Sequence, residues 1–387
     1  MGRGADVVIV GRGPAGLLFA SLLVQHGGRV TMVADGQGTL PLWGGHWDFR
    51  SYGTDQQPIT NPYAWWRQSG KLERQKDTQL WRRRWFNLEA LWTDVGIPVN
   101  VNLDPGLNRW IMTPMGHMRP TYLSPAWHFS TDYPGPVVIV EFPGLADFSA
   151  SAVSVVYQWA TGHRAETIRL EPPSPWREGW HALNWAWYLD SDLGRQWLLG
   201  ALTAKEWPKD AAVVFPQVLG IDQVESLLRE IARIVDRPIG EVPLLPPSVG
   251  GLRVSRRWER WLKYRGLTLV TGHVVHAEGN HVLLANGRKL HGDRVVLATG
   301  GILGGGLVVA PDGSVRNPLT DTRVGSIADS GIGWVGHVDW NSGMPVVGRT
   351  VGGWNPDREG NGGALILWTV HEVFQSLVGH MPSVEEG

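Results

Sequence analysis

The 387-residue chain contains no cysteine. That excludes disulfides, zinc–thiolate sites and any iron–sulfur cluster held by the chain itself. Neither charge sign is in excess: 35 Lys and Arg stand against 36 Asp and Glu, a formal net charge of -1. A basic footprint for nucleic acid or for an anionic membrane surface is therefore missing. No apolar run is long enough to span a bilayer, so no direct membrane insertion is expected. The apolar stretch after Arg3 is broken by Gly11, Arg12, Gly13 and Pro14, so it does not read as a signal peptide, and a cytoplasmic protein is expected. No spacing of His, Asp and Glu resembles a metal site.

Glycine and tryptophan, by contrast, are abundant, at 50 and 22. The chain is too long for one simple core, which predicts two domains or one domain with a large insertion. Sixteen of the tryptophans lie between Trp43 and Trp207, so the middle differs in composition from both ends. The organisation expected is a discontinuous cofactor domain over residues 1–60 and 246–387, with a Trp-rich cap over 61–245.

The strongest local signal runs from Val7 to Gly16: a short apolar strand, then Gly11-x-Gly13-x-x-Gly16, then a helix opening at Pro14. Gly11 permits a tight turn, Gly13 lets backbone approach a pyrophosphate, and Gly16 lets helix and strand pack closely. The free N–H groups at the helix start, Ala15 among them, and the positive end of its dipole then hold phosphate. The helix is expected over Pro14–Gln25 and a second strand over Arg29–Ala34. In such a unit a carboxylate normally ends the second strand and binds the adenosine ribose. Ala34 holds that slot here, and Asp35 follows one residue later. A Gly-rich loop comes next, in which Gly44 and Gly45 permit close approach to a bound cofactor.

Further on, helices are predicted over Lys71–Trp92, Ser149–Thr161, Asp222–Val235 and Arg253–Tyr264, with a buried strand over Pro136–Phe142. Asp222 and Glu225 suit a capping box. Short strands separated by Gly279-Asn280 and Asn286-Gly287 turns read as a β-meander. It feeds a strand over Asp293–Thr299 that ends in a turn, where Thr299 and Gly300 are placed beside the cofactor. A second Gly-rich loop opens a helix from Ala364. Gly353, Asp357, Gly360, Gly362 and Gly363 in that loop are expected to contact the cofactor, and the helix N-terminus is expected to stabilise charge on a reduced flavin ring. The fold class expected is α/β, a Rossmann-like FAD/NAD(P)-binding flavoprotein domain with an inserted α+β cap domain.

Four segments carry a family likeness. They are Gly11-x-Gly13-x-x-Gly16; Gly36-Gln37 with Gly45-x-x-Asp48; Ala298-Thr299-Gly300-Gly301 with Gly305-Gly306-Leu307-Val308 and Asp312-Gly313-x-x-Arg316-x-Pro318; and Gly352 to Gly360. With these the chain resembles the B-subunit family of the anaerobic glycerol-3-phosphate dehydrogenase, a family of flavoproteins. The resemblance implies a complex with a catalytic dehydrogenase subunit and an iron–sulfur subunit that reaches the membrane quinone, and membrane association through a partner. It implies FMN, whereas the dinucleotide fold favours FAD. The function implied is passage of electrons from substrate through flavin to a partner acceptor. A stand-alone flavin oxidoreductase acting on another alcohol or amine is one alternative, and a non-catalytic partner-binding subunit is another.

Candidate chemistry rests on few side chains. Arg316, Arg349 and Arg358 offer the planar fork that suits a phosphorylated substrate, and Arg358 sits in the cofactor loop. His46, His117, His128, His181 and His337 are candidate general bases, His46 foremost because it follows the Gly44–Gly45 pair. Arg82-Arg83-Arg84 reads as an exposed helix face. The tryptophans suit a pocket, an interface or a core.

Overall fold

In a computed structural model of the chain, residues 6–70, 72–100, 104, 106–130, 135–326, 343–353 and 360–379 are described. The first sheet is parallel, in the order Thr268–Thr271, Arg29–Ala34, Asp6–Val10, Arg294–Leu297. Its second connection passes through the whole middle of the chain, so the two ends close one sheet. Val7 pairs with both Val30 and Arg294, and Val10 with Val33 and Leu297.

The strand Asp6–Val10 alternates as its pleat requires. Val7 and Ile9 enter the main core, whereas Val8 and Val10 join a separate cluster with Val274, Ala277, Val282 and Leu284. Helix Pro14–Gln25 covers the first face and is apolar almost all round, because it is buried on several sides. It packs against the helices Gly362–Gly379 and Val249–Tyr264. The antiparallel strands Val274–Glu278, His281–Leu284 and Lys289–His291 cover the other face. Their two turns place Gly279 and Gly287 at φ 53° and 81°, where a side chain is strained.

The middle segment builds a second parallel sheet, ordered Ile239–Val242, Ala212–Pro216, Val137–Glu141, Ala165–Arg169. The helices Ala150–Thr161, Ala182–Asp190, Asp192–Thr203 and Val224–Val235 accompany it. The last of these starts two residues later than its sequence pattern suggests, and Asp222 does not cap it. The Asp190 carboxylate accepts from the N–H groups of Ile221, Asp222 and Gln223 instead. The predicted Lys71–Trp92 helix is also shifted. Asp77 caps a helix over Thr78–Val95 through the N–H groups of Gln79 and Leu80.

Nine tryptophans are core. Trp47, Trp66, Trp81, Trp85, Trp92, Trp127, Trp185, Trp258 and Trp368 are fully buried, within one cluster that reaches both sheets. Arg84, in the triplet expected to be exposed, is buried. It lies 4.2 Å over the Trp368 ring and pairs with Glu372 at 2.6 Å. Its position one turn after Trp81 puts it on the apolar side of its helix, where stacking and the ion pair offset the burial of charge. Among the described residues no helix is long and apolar enough to cross a membrane, and no group of His, Asp or Glu could hold a metal.

Candidate cofactor cavity

A cavity of about 830 Å³ opens where the strands of the first sheet end. Gly11 enters the turn at φ 114°, and its N–H donates to the Val33 carbonyl at 2.9 Å. A Cβ on Gly11 would sit 2.2 Å from the Ala298 carbonyl oxygen, and one on Gly16 would sit 2.2 Å from the Gly11 oxygen. Neither position admits a side chain. At Gly13 the opposite holds: nothing lies within 4 Å of a Cβ built there. Helix Pro14–Gln25 begins beside that open space with no side-chain cap on its first turn. Uncapped N–H groups at the positive end of a helix are the physical requirement for seating phosphate.

The remaining walls come from distant parts of the chain. Gly36, Gly38, Gly44 and His46 contribute from the loop after the second strand. Thr299 and Gly300 contribute from the turn after Arg294–Leu297, and Thr350 fixes that turn by accepting from the Gly300 N–H at 2.9 Å. Gly362 and Gly363 bring the start of the C-terminal helix to the same space. A Cβ on Gly363 would lie 2.6 Å from the Asp48 carbonyl oxygen, which instead accepts from the Ala364 N–H at 2.9 Å. Asp35 reaches the cavity past the end of its strand, and its carboxylate pairs with His273 Nδ1 at 2.6 Å.

One end of the cavity holds a cluster of charged side chains. The Arg119 guanidinium donates to His46 Nε2 at 2.5 Å and pairs through Nη2 with Asp48. Thr121 donates to the other Asp48 oxygen at 3.0 Å. Burial pushes the His46 pKa well below its ordinary value, and the Arg119 charge adds to that. Burial also raises the Asp48 carboxyl, against the opposing pull of Arg119 and Thr121. Arginine only donates, so His46 Nε2 accepts, and the neutral ring carries its proton on Nδ1. Arg349 lines the same wall, its pKa lowered by burial and supported by the Asp48 charge.

No family model matches the chain. The B subunit of the anaerobic glycerol-3-phosphate dehydrogenase from Pectobacterium atrosepticum is 30% identical over 292 residues, which cover 69% of this chain and 66% of the relative. The chain is a relative of the anaerobic glycerol-3-phosphate dehydrogenase B subunits. A further B subunit, from Aliivibrio fischeri, is 26% identical over 72% of this chain and 65% of its own length. One from Yersinia pestis is 27% identical, over 70% and 67%. The chain thus spans slightly less than two thirds of the Pectobacterium and Aliivibrio relatives. Among solved structures, iminodiacetate oxidase from Chelativorans sp. BNC1 gives a TM-score of 0.36 at 11% identity, over 98% of this chain and 96% of that one. A 3-ketosteroid dehydrogenase from Rhodococcus jostii gives 0.30 at 12%, over 78% and 46%. Scores this low bear on neither fold nor function.

In this relative of the B subunits, most of the expected site residues converge on the cavity. Gly11, Gly13, Pro14, Ala15, Asp35, Gly44, His46, Thr299, Gly300, Gly362 and Gly363 all line it. Gly16 and Gly45 stand behind the lining, Gly16 for helix packing and Gly45 at φ 87°. Gly353 and Gly360 do not line it. The Gly360 carbonyl accepts from the Ser51 N–H at 2.9 Å, tying the C-terminal loop to the segment after Asp48. Asp357, Arg358 and His337 lie outside the described residues.

The other candidates sit elsewhere. Arg316 pairs with Asp321 at 3.3 Å within the hairpin of Ser314–Asn317 and Thr322–Ser326, away from the cavity lining. His128 is buried and accepts from Gln217 at 2.9 Å. His117 packs edge-on to the exposed Trp159, and His181 is at the exposed start of a helix. Sequence reasoning missed Arg119 and His273. Arg119 sits on a short hairpin strand, Met118–Thr121, outside the motifs that the sequence reading singled out. His273 follows the strand Thr268–Thr271, and its place beside the cavity depends on a strand pairing that only the fold makes.

Proposed function

We propose that the chain is the flavin-carrying subunit of a glycerol-3-phosphate dehydrogenase-type complex. The observation that carries this reading is the cavity itself, bounded by two glycine-rich helix starts from opposite ends of the chain and open where a phosphate would approach Gly13. The N–H groups at Ala15 and Gly16 would hold the pyrophosphate, with Gly44, Thr299 and Gly300 alongside. Asp35 would take the adenosine ribose, which favours FAD over FMN. Gly362 and Gly363 at the start of the C-terminal helix would face the flavin ring.

A bound flavin supplies a hydride acceptor for an alcohol carbon and a relay for electrons to a partner. The chain's own residues bind and orient. His46 stays neutral with its Nε2 engaged by Arg119, so its part would be to hold that guanidinium. Residues 1–60 and 246–387 would form the flavin domain and 61–245 the cap. The relatives' description as B subunits supports partner chains. In this reading those partners would be a catalytic dehydrogenase subunit and an iron–sulfur subunit, with electrons passing on to quinone. The absence of cysteine agrees with this, because such electrons need an acceptor outside the chain.

The test is to denature purified protein and identify what is released, by chromatography and mass. FAD is expected. FMN would remove the role given to Asp35. Protein with no flavin and no yellow colour would sink the reading.

A further inference from the structure

The strand Arg29–Ala34 ends one residue short of a carboxylate. Ala34 holds the slot from which an acid ordinarily reaches a ribose, and Asp35 comes next. Successive side chains on a strand point to opposite faces, so Asp35 does not inherit the direction of that slot. Asp35 nevertheless lines the cavity, and so does His273. His273 Nδ1 lies 2.6 Å from Asp35 Oδ2, and among the described residues this is the one hydrogen bond that the Asp35 side chain makes. An ionised carboxylate only accepts, so Nδ1 donates, and Oδ1 stays open to a ligand hydroxyl.

The backbone around this pair is tied down. The Gly272 N–H donates to the Ala34 carbonyl at 3.1 Å, one step past the last strand pair, Thr271 with Ala34. The Ala285 N–H donates to the His273 carbonyl at 2.8 Å. Just beyond Asp35, the Gly36 carbonyl accepts from Arg12 Nε at 3.2 Å, which ties this segment to the glycine turn. An exposed pair contributes little to folding, and these side chains are 65% and 62% exposed. Its value is to hold a carboxylate in one direction before a ligand arrives, which lowers the entropy lost on binding. We propose that His273 is the positioning residue of the adenosine end, holding the shifted Asp35 carboxylate ready to accept from a ribose hydroxyl. The inference rests on the flavin reading above and goes beyond it in making His273 a determinant of FAD over FMN.

Calorimetric titration of the cofactor-stripped full chain decides it, with FAD and FMN as probes and a melting curve for each variant. FMN lacks the adenosine end and serves as the internal control. Wild-type protein is expected to bind FAD more tightly than FMN. His273→Ala is expected to weaken FAD binding on the order of 10-fold, the worth of one hydrogen bond to a charged group, and to leave FMN binding and the flavin-free melting midpoint unchanged. His273→Asn places an amide N–H near the position of Nδ1 and is expected to recover most of the loss. In an Asp35→Ala background, His273→Ala is expected to cost less than about 2-fold further, because a positioning residue acts only through its partner. An undiminished effect in that background would overturn the proposal. So would unchanged FAD binding, an equal loss for FMN, an asparagine variant as weak as the alanine one, or a flavin-free midpoint that falls sharply. Equal FAD and FMN affinities in the wild type would overturn it and leave the flavin reading standing. A chain that binds neither flavin would sink both.

Discussion

At the scale of single residues, buried charge sets the strongest constraints. Arg253 and Glu241 are both fully buried. They pair through both Nη atoms of the guanidinium, and Arg253 Nε also donates to the Gly220 carbonyl at 2.7 Å. Arg253→Met leaves the Glu241 carboxylate uncompensated, and a loss of about 3–5 kcal/mol is expected in denaturant unfolding. His371 makes a different kind of prediction. Burial, with Arg84 and Arg83 nearby, lowers its pKa from 6.5 to about 3. The unfolded chain binds a proton there that the folded chain refuses, so stability is full above pH 6.5 and falls as pH drops toward 3. At pH 5 the group alone costs about 2 kcal/mol. His46 and His128, lowered in the same direction, steepen the fall. His371→Phe is expected to flatten the dependence of the unfolding free energy on pH between 6.5 and 4. A slope equal to wild type would refute this.

At the scale of elements, the ends decide more than the middles. The apolar spacing of the helix Val224–Val235 was readable because Val224, Leu227, Ile231 and Val235 fall on one buried stripe. Its cap was not, because Asp190 is 34 residues upstream of Val224 and belongs to the preceding helix pair. Asp190→Ala is expected to cost about 1–2 kcal/mol, seen as a lower thermal midpoint. The C-terminal helix makes a steric prediction. A methyl on Gly363 would meet the Asp48 carbonyl oxygen at 2.6 Å. Gly363→Ala is expected to displace the segment bearing His46 and Asp48, and to reduce cofactor retention through gel filtration. Normal retention would show that the helix start can shift without loss.

At the scale of the whole molecule, two parallel sheets share a core, and the cavity borrows walls from both ends of the chain and from the middle. A ligand that binds only the folded chain stabilises it, by about 2.7 kcal/mol at a hundredfold excess over its dissociation constant. Adding FAD to cofactor-stripped protein is therefore expected to raise the thermal midpoint. Because Trp43 and Trp47 line the cavity, it should also quench tryptophan emission. A midpoint that FMN raises as far as FAD would remove the need for the adenosine end at Asp35.

The first strand, the glycine turn and the first helix were legible residue by residue, since alternation, a tight turn and helix capping are local physics. The sequence by itself determined the α/β class, the strand–glycine turn–helix unit at the start of the chain, and the tight packing at Gly11 and Gly16. The tertiary structure decided which distant groups meet. It paired Asp35 with His273, set Arg119 against His46 and Asp48, and buried nine of the tryptophans in the core. Those meetings depend on strand order and on a connection through the middle of the chain, and no local spacing encodes either.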